Sequence, residues 1–142
     1  MTSIDFYFNA SDKSVLVAQL LHKALQQHRD TTVFMADATA AASFSDYLWR
    51  AQPETFIANA CAGDALAANA PVVLDWQAHT IFQDDVLINL QPSQPGFFSR
   101  FKRLIEVVGM EEEDKAEARK RYAFYRDRGY TIKSVDLLKN PL

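Results

Sequence analysis

Two runs of strand character enclose a stretch of helical periodicity within the first 36 residues, and that order restricts the chain more than any other feature. Residues 3–8 (Ser-Ile-Asp-Phe-Tyr-Phe) place Ile4, Phe6 and Phe8 on one face of a strand. Residues 9–12 read as a turn in which Ser11 or Asp12 can cap a helix. Val15, Leu16, Leu20, Leu21, Ala24 and Leu25 then give that helix one broad apolar face, running to about His28. Residues 31–36 (Thr-Thr-Val-Phe-Met-Ala) supply a second buried strand. A β-α-β unit joins parallel strands through a right-handed crossover, so a parallel sheet is expected.

The rest of the chain continues the alternation. A second helix is expected over residues 39–50, with Ala41, Phe44, Tyr47 and Leu48 inward and Pro53 preventing much extension. Trp49 is left off that stripe. Residues 52–57 read as a loop or short strand, and the Ala/Asn-rich residues 58–70 carry too little pattern to assign. Residues 71–76 and 85–90 are compact apolar runs of buried-strand type. Pro92, Pro95 and Gly96 mark a loop over residues 91–96, and residues 104–108 (Leu-Ile-Glu-Val-Val) read as a strand entering the last helix. The expected fold is therefore a single three-layer α/β/α domain over residues 1–142. Its central sheet is mostly parallel, with helices on both faces. A length of 142 residues suits one such domain.

The last helix, residues 111–128, is the most charged segment. Four carboxylates at Glu111, Glu112, Glu113 and Asp114 sit at its positive end and Arg126 and Arg128 at its negative end, while Gly129 can take the left-handed conformation that stops it. Tyr130, Thr131 and Ile132 then resume strand character. Ala118, Tyr122, Tyr125 and Gly129 recur at four, three and four residues, a stripe expected to pack on the core. Lys115, Arg119, Tyr122 and Arg126 repeat the same spacing alongside it. That flank reads either as a solvated charged face or as an anion-binding surface.

Composition removes several classes of function. A net charge of −3 argues against a general nucleic-acid binder, which needs a broad basic surface. Glycine stands only at positions 63, 96, 109 and 129, so neither a phosphate-cradling loop nor a dinucleotide-binding turn can be written. Cys61 is the only cysteine, and His22, His28 and His79 are scattered, so no metal site or cofactor is expected. No apolar run approaches the length of a membrane span, and the N-terminal residues lack the pattern of an export signal. A cytoplasmic, monomeric protein is the expectation. Asp12, Asp37 and Asp75 each follow a predicted strand, where open α/β sheets place ligands. They read as a carboxylate set for Mg²⁺ or as ordinary caps and turns. Trp49 and Phe56 bracket the end of the second helix and offer an apolar anchor for another protein, or cover for that helix end.

Several segments taken together resemble the chi subunit of bacterial DNA polymerase III. They are Asp5-Phe-Tyr, Leu48-Trp49-Arg50 followed by Pro53-Glu54 and Phe56, Pro71-Val72, residues 85–90, and Ala118-Arg119-x-Arg121-Tyr122-x-x-Tyr125-Arg126-x-x-Gly129. The resemblance implies an α/β/α fold without a phosphate loop and a non-catalytic accessory role in the clamp loader during DNA replication. It further implies two protein partners, the psi subunit and the acidic C-terminal tail of the single-stranded DNA-binding protein. Carried over by position, the tail site comprises Val108, Lys115, Arg119, Tyr122 and Arg126, and the psi face Trp49 and Phe56. Ala123 stands where the best-known members carry a lysine, which leaves the cationic site smaller there. A tail ending in Asp-Phe-Pro-Phe needs guanidinium groups beside an apolar slot. Two other readings compete with this one: a carboxylate-dependent Mg²⁺ enzyme, and a module that binds single-stranded nucleic acid directly through the basic helix.

Overall fold

The computed structural model of the chain describes residues 2–51, 59–61, 70–77, 81 and 83–140. In chain order its elements are β1 (Ser3–Ala10), α1 (Lys13–Gln26), β2 (Thr31–Phe34), α2 (Ala38–Ala51), β3 (Asn59–Cys61) and β4 (Val72–Asp75). They continue with β5 (Val86–Asn89), a 3-10 turn (Phe98–Arg100), β6 (Arg103–Gly109), α3 (Glu112–Asp127) and β7 (Ile132–Asp136). The strands form one sheet in the order β3-β4-β2-β5-β6-β1-β7, and every neighbouring pair is parallel.

That order explains the layers. The connections through α1 and α2 step toward the β3 edge, whereas the connection through α3 steps toward β7. With one crossover hand, opposite steps put helices on opposite faces. Accordingly, Leu16, Leu20, Leu21, Ala41, Phe44 and Leu48 of α1 and α2 pack with Val33, Leu74 and Ile88 on one side. Ala118 and Tyr125 of α3, with Phe98 and Phe101, pack with Ile4, Phe6, Leu87, Leu104 and Val108 on the other. Each central strand contributes alternate side chains to the two layers, as its period of two requires. The expected α/β/α fold is the observed one, and β1, β2, β4, β5 and β6 lie where the strand runs were placed.

Local departures have local causes. Asp12 caps α1 by accepting from the N–H groups of Ser14 and Val15. The inner face of α1 takes in Val17 and Ala18 and leaves Val15 exposed, so the broad face assigned from sequence is turned slightly. The helix ends at Gln26, before His28, which takes a positive φ of 57° and redirects the chain into β2. β3 falls in the segment that carried no readable pattern, and β7 prolongs the strand character resumed after Gly129 as far as Asp136. The loop or strand expected over residues 52–57, and Phe56 with it, lies outside the described residues. Among the described residues no helix is long and apolar enough to cross a membrane.

Candidate peptide-binding cleft

α3 is held at both ends by its own sequence. Its first turn carries Glu112, Glu113 and Asp114 and its last Arg126, the charge order that complements a helix dipole. Asp114 Oδ2 accepts from Gly109 N–H at 2.6 Å and from Lys13 Nζ at 2.7 Å, joining the start of α3 to the end of β6 and to the start of α1. Burial opposes ionisation of this carboxyl, but the Lys13 and Gly109 hydrogen bonds and the charge of Lys13 outweigh it and hold its pKa below the usual range. At the other end Gly129, with φ of +81°, lets Tyr130 N–H reach the carbonyl of Tyr125 and Gly129 N–H that of Arg126. This pair of reversed bonds stops the helix.

The inward face of α3 differs from the one read in the sequence. Ala118, Arg121 and Tyr125 are its buried residues, whereas Tyr122, assigned to the core stripe, is 37% exposed. The spacing 118-121-125 fits a helix as well as 118-122-125, and the partner beneath decides between them. That partner is Glu106 of β6, fully buried and flanked by Leu104 and Val108 on the same face of its strand. Arg121 Nε donates to Glu106 Oε1 at 3.1 Å, and Tyr125 Oη donates to Oε2 at 2.5 Å. Asn89 Nδ2 donates to both oxygens at 3.0 and 3.2 Å. Arg121 also donates to the Pro92 carbonyl at 2.8 Å, so the loop after β5 is tied to the same cluster. Burial pushes the Glu106 carboxyl up to about 7, against the lowering effect of Arg121, Tyr125 and Asn89. Burial and the neighbouring carboxylate together raise the Tyr125 phenol well above its ordinary value.

Turning Arg121 inward puts Lys115, Arg119 and Tyr122 along one edge of the helix, where they line an open cavity of about 340 Å³. Phe6, Phe8, Val108 and Ala118 give the cavity its apolar lining, and Asn9 and Ser134 complete it. The ring of Phe6 meets Tyr122 edge-on with centroids 5.4 Å apart. β1 shifts register between Tyr7 and Ala10, and Asn9 takes a φ of 63°, a conformation that asparagine tolerates better than most residues. Asn9 Nδ2 then donates to Asp136 Oδ1 at 2.9 Å. Among the described residues neither Lys115 nor Arg119 forms an ion pair. The Asn9 hydrogen bond, the Leu138 N–H and the charges of Lys139 and Lys115 lower the Asp136 carboxyl. The cleft thus offers two cations that form no ion pair among the described residues beside an aromatic floor, a chemistry suited to a short peptide bearing both carboxylates and rings.

Of the residues singled out from sequence, Val108, Lys115, Arg119 and Tyr122 come together here. Arg126 continues the same flank but lies beyond the cleft lining, beside Asp127 at 3.3 Å. Ala123 is half-buried and does not line the cleft. Phe6 and Phe8 were read only as core residues. Their signal was the alternation that sets both on the face later covered by α3, which nothing before the topology connected with Arg119. Trp49 lies at the far end of α2, 57% exposed, on the opposite face of the sheet from α3.

The three carboxylates considered for Mg²⁺ act as caps and turns. Asp12 caps α1, Asp37 Oδ1 accepts from Ala40 N–H at 2.8 Å at the start of α2, and Asp75 accepts from the N–H groups of Trp76 and Gln77. Among the described residues no three His, Cys, Asp or Glu side chains are grouped to hold a metal ion.

Known proteins give the cleft a setting. A protein-family model described as DNA polymerase III chi subunit, HolC, matches residues 1–133. The chain is 32% identical over 136 residues to the DNA polymerase III subunit chi of Pseudomonas aeruginosa, covering 93% of this chain and 94% of that one. It is 26% identical over 144 residues to the subunit of the same name from Escherichia coli K12, covering 95% and 98%. A further relative of that name, from Haemophilus influenzae, is 30% identical over 98 residues, covering 68% of each chain. With its parallel α/β/α fold and a family match over nearly its whole length, the chain belongs to the DNA polymerase III chi subunit family.

Proposed function

We propose that the chain is a non-catalytic accessory subunit of the clamp loader that binds two proteins at once. The C-terminal tail of the single-stranded DNA-binding protein occupies the cleft under α3, and the psi subunit docks at the end of α2. The observation that carries this reading is the pair of cations Lys115 and Arg119, without an ion pair among the described residues, beside the apolar lining of Phe6, Phe8 and Val108. In a tail ending Asp-Phe-Pro-Phe, the carboxylates pair with Lys115 and Arg119 while a terminal ring enters the slot beside Tyr122. Arg126 extends the same positive flank to acidic residues further from the tail's end.

Support for the second partner is positional. Trp49 is exposed on the opposite face of the sheet, and α2 leads to the β3 edge whereas the cleft lies at the β7 edge. A bridging subunit needs its two surfaces free of one another, and this separation provides that. Phe56, the other residue of this face, lies outside the described residues.

The test is a titration of a labelled peptide ending Asp-Phe-Pro-Phe, with single-stranded oligonucleotide titrated in parallel over a range of salt. Saturable peptide binding, lost when the terminal Phe is removed, supports the proposal. Oligonucleotide binding with a steep salt slope and no peptide binding would replace it with direct strand binding.

A further inference from the structure

The buried pair beneath α3 has no direct part in the cleft, and its cost needs a reason. Removing two charges from water is expensive, and well-packed apolar residues of similar volume commonly serve stability as well or better. We infer that Glu106 is a positioning residue for the cleft: by drawing Arg121 inward, it fixes which face of α3 presents Lys115, Arg119 and Tyr122. The inference rests on reading the cleft as the acidic-tail site.

α3 cannot set its own rotation by burial alone. Its apolar contacts with the core are Ala118 and Tyr125, with Phe124 half-buried beside them, while cations stand at 115, 119, 120, 121 and 126 of the helix and at 128 just past its end, on nearly every side. A helix advances about 100° per residue, so a turn of that size about its axis would exchange Arg121 for Tyr122 or Lys120. The first setting leaves Glu106 buried without a cation, and the second offers Lys120 but puts Phe124, which has no hydroxyl, where Tyr125 stands. The carboxylate also discriminates through both oxygens, one bonded to Arg121 and the other to Tyr125, which stand four residues apart on the same stripe. Two attachments a turn apart fix rotation and axial position together.

The link to the cleft is short. Tyr125 meets Phe6 edge-on with centroids 6.1 Å apart, and Phe6 in turn meets Tyr122 at 5.4 Å. Phe6 and Glu106 are register partners on adjacent strands, so the ring that floors the cleft and the carboxylate that anchors the helix share one rung of the sheet. Losing the anchor therefore displaces the aromatic wall and the two cations together.

The decisive variant replaces the pair with apolar residues, Glu106→Leu with Arg121→Met, so that neither charge is left stranded. The expected result is a folded protein that melts somewhat below wild type, because the buried Tyr125 hydroxyl loses its acceptor, with affinity for the Asp-Phe-Pro-Phe peptide lowered about tenfold or more. In that background Arg119→Ala should change affinity by less than about threefold, because the coupling between the two sites has been removed. A pair variant that binds as wild type does, and still loses affinity on Arg119→Ala, overturns the inference while leaving the cleft reading intact. A wild-type chain that does not bind the peptide overturns the cleft reading and the inference with it. Should the pair variant fail to fold, Tyr125→Phe decides the matter by removing one hydroxyl. A loss of about threefold in peptide affinity supports the inference, and unchanged affinity overturns it.

Discussion

Arg119 and Arg121 stand two positions apart on one helix and occupy opposite environments. Arg121 is 2% exposed and bonded to Glu106 and to the Pro92 carbonyl, whereas Arg119 is exposed at the lip of the cleft with no ion pair among the described residues. One arginine is bonded within the fold and the other lines the open cleft. Identical substitutions at the two positions must therefore have different consequences.

Arg121→Ala should destabilise the fold by about 3–5 kcal/mol, because it strands a buried carboxylate. Arg119→Ala should change stability by no more than about 0.5 kcal/mol, as exposed substitutions generally do. Urea denaturation of the two variants beside wild type measures both, and similar losses would contradict the assignment of faces.

Stability should also depend on pH through Glu106. Its carboxyl is pushed from 4.5 up to about 7 in the folded chain, so the folded form holds this proton more tightly than the unfolded form. The contribution is fully present below about pH 4.5 and is lost as the pH rises through 7, a change of at most about 3 kcal/mol. Asp114 and Asp136, whose carboxyls are lowered, act oppositely at more acid pH. The check is the difference between the wild-type and Glu106→Gln profiles, in which the other groups cancel. A difference that stays flat between these two pH values would contradict the account.

The sequence disclosed the layers more readily than the anchor. Periods of two and of about 3.6 identified β1, α1 and α2, each by one apolar face, and β2 was legible as a short run buried toward both layers. β3 escaped because Asn59, Ala60 and Cys61 alternate nothing, and only pairing with β4 makes them a strand. Glu106 did leave a signal, being a charge inside Leu104-Ile-Glu-Val-Val108, a run apolar on both faces. Such a residue must be buried and therefore paired. The helix offered several cations at compatible spacings, so the identity of its partner, and with it the exposure of Tyr122, was decided by packing between elements distant in the chain. Lys115, Arg119 and Tyr122 were readable as a flank, but the floor of Phe6 and Phe8 became part of the site only through the β6-β1-β7 order.

Trp49→Ala should leave the chain folded and cost no more than about 2 kcal/mol, since more than half of the side chain is exposed. It should weaken association with the psi subunit and spare peptide binding in the cleft. Binding assays with the two partners separately provide the check. Loss of both activities together would show that the two surfaces are not independent.

The central claim is that the cleft under α3 recognises an acidic, aromatic peptide end through Arg119. Removing a charged hydrogen-bond partner costs about 1.5–3 kcal/mol, so Arg119→Ala should weaken binding of the Asp-Phe-Pro-Phe peptide by roughly 10- to 150-fold. Arg119→Lys should recover part of that loss, since an ammonium supplies the charge without the paired donors. Titration of the labelled peptide into wild type, Arg119→Ala and Arg119→Lys, with thermal melts alongside, measures this directly. The account predicts affinities falling in the order wild type, Lys, Ala at unchanged melting temperature, and equal affinities for all three proteins would contradict it.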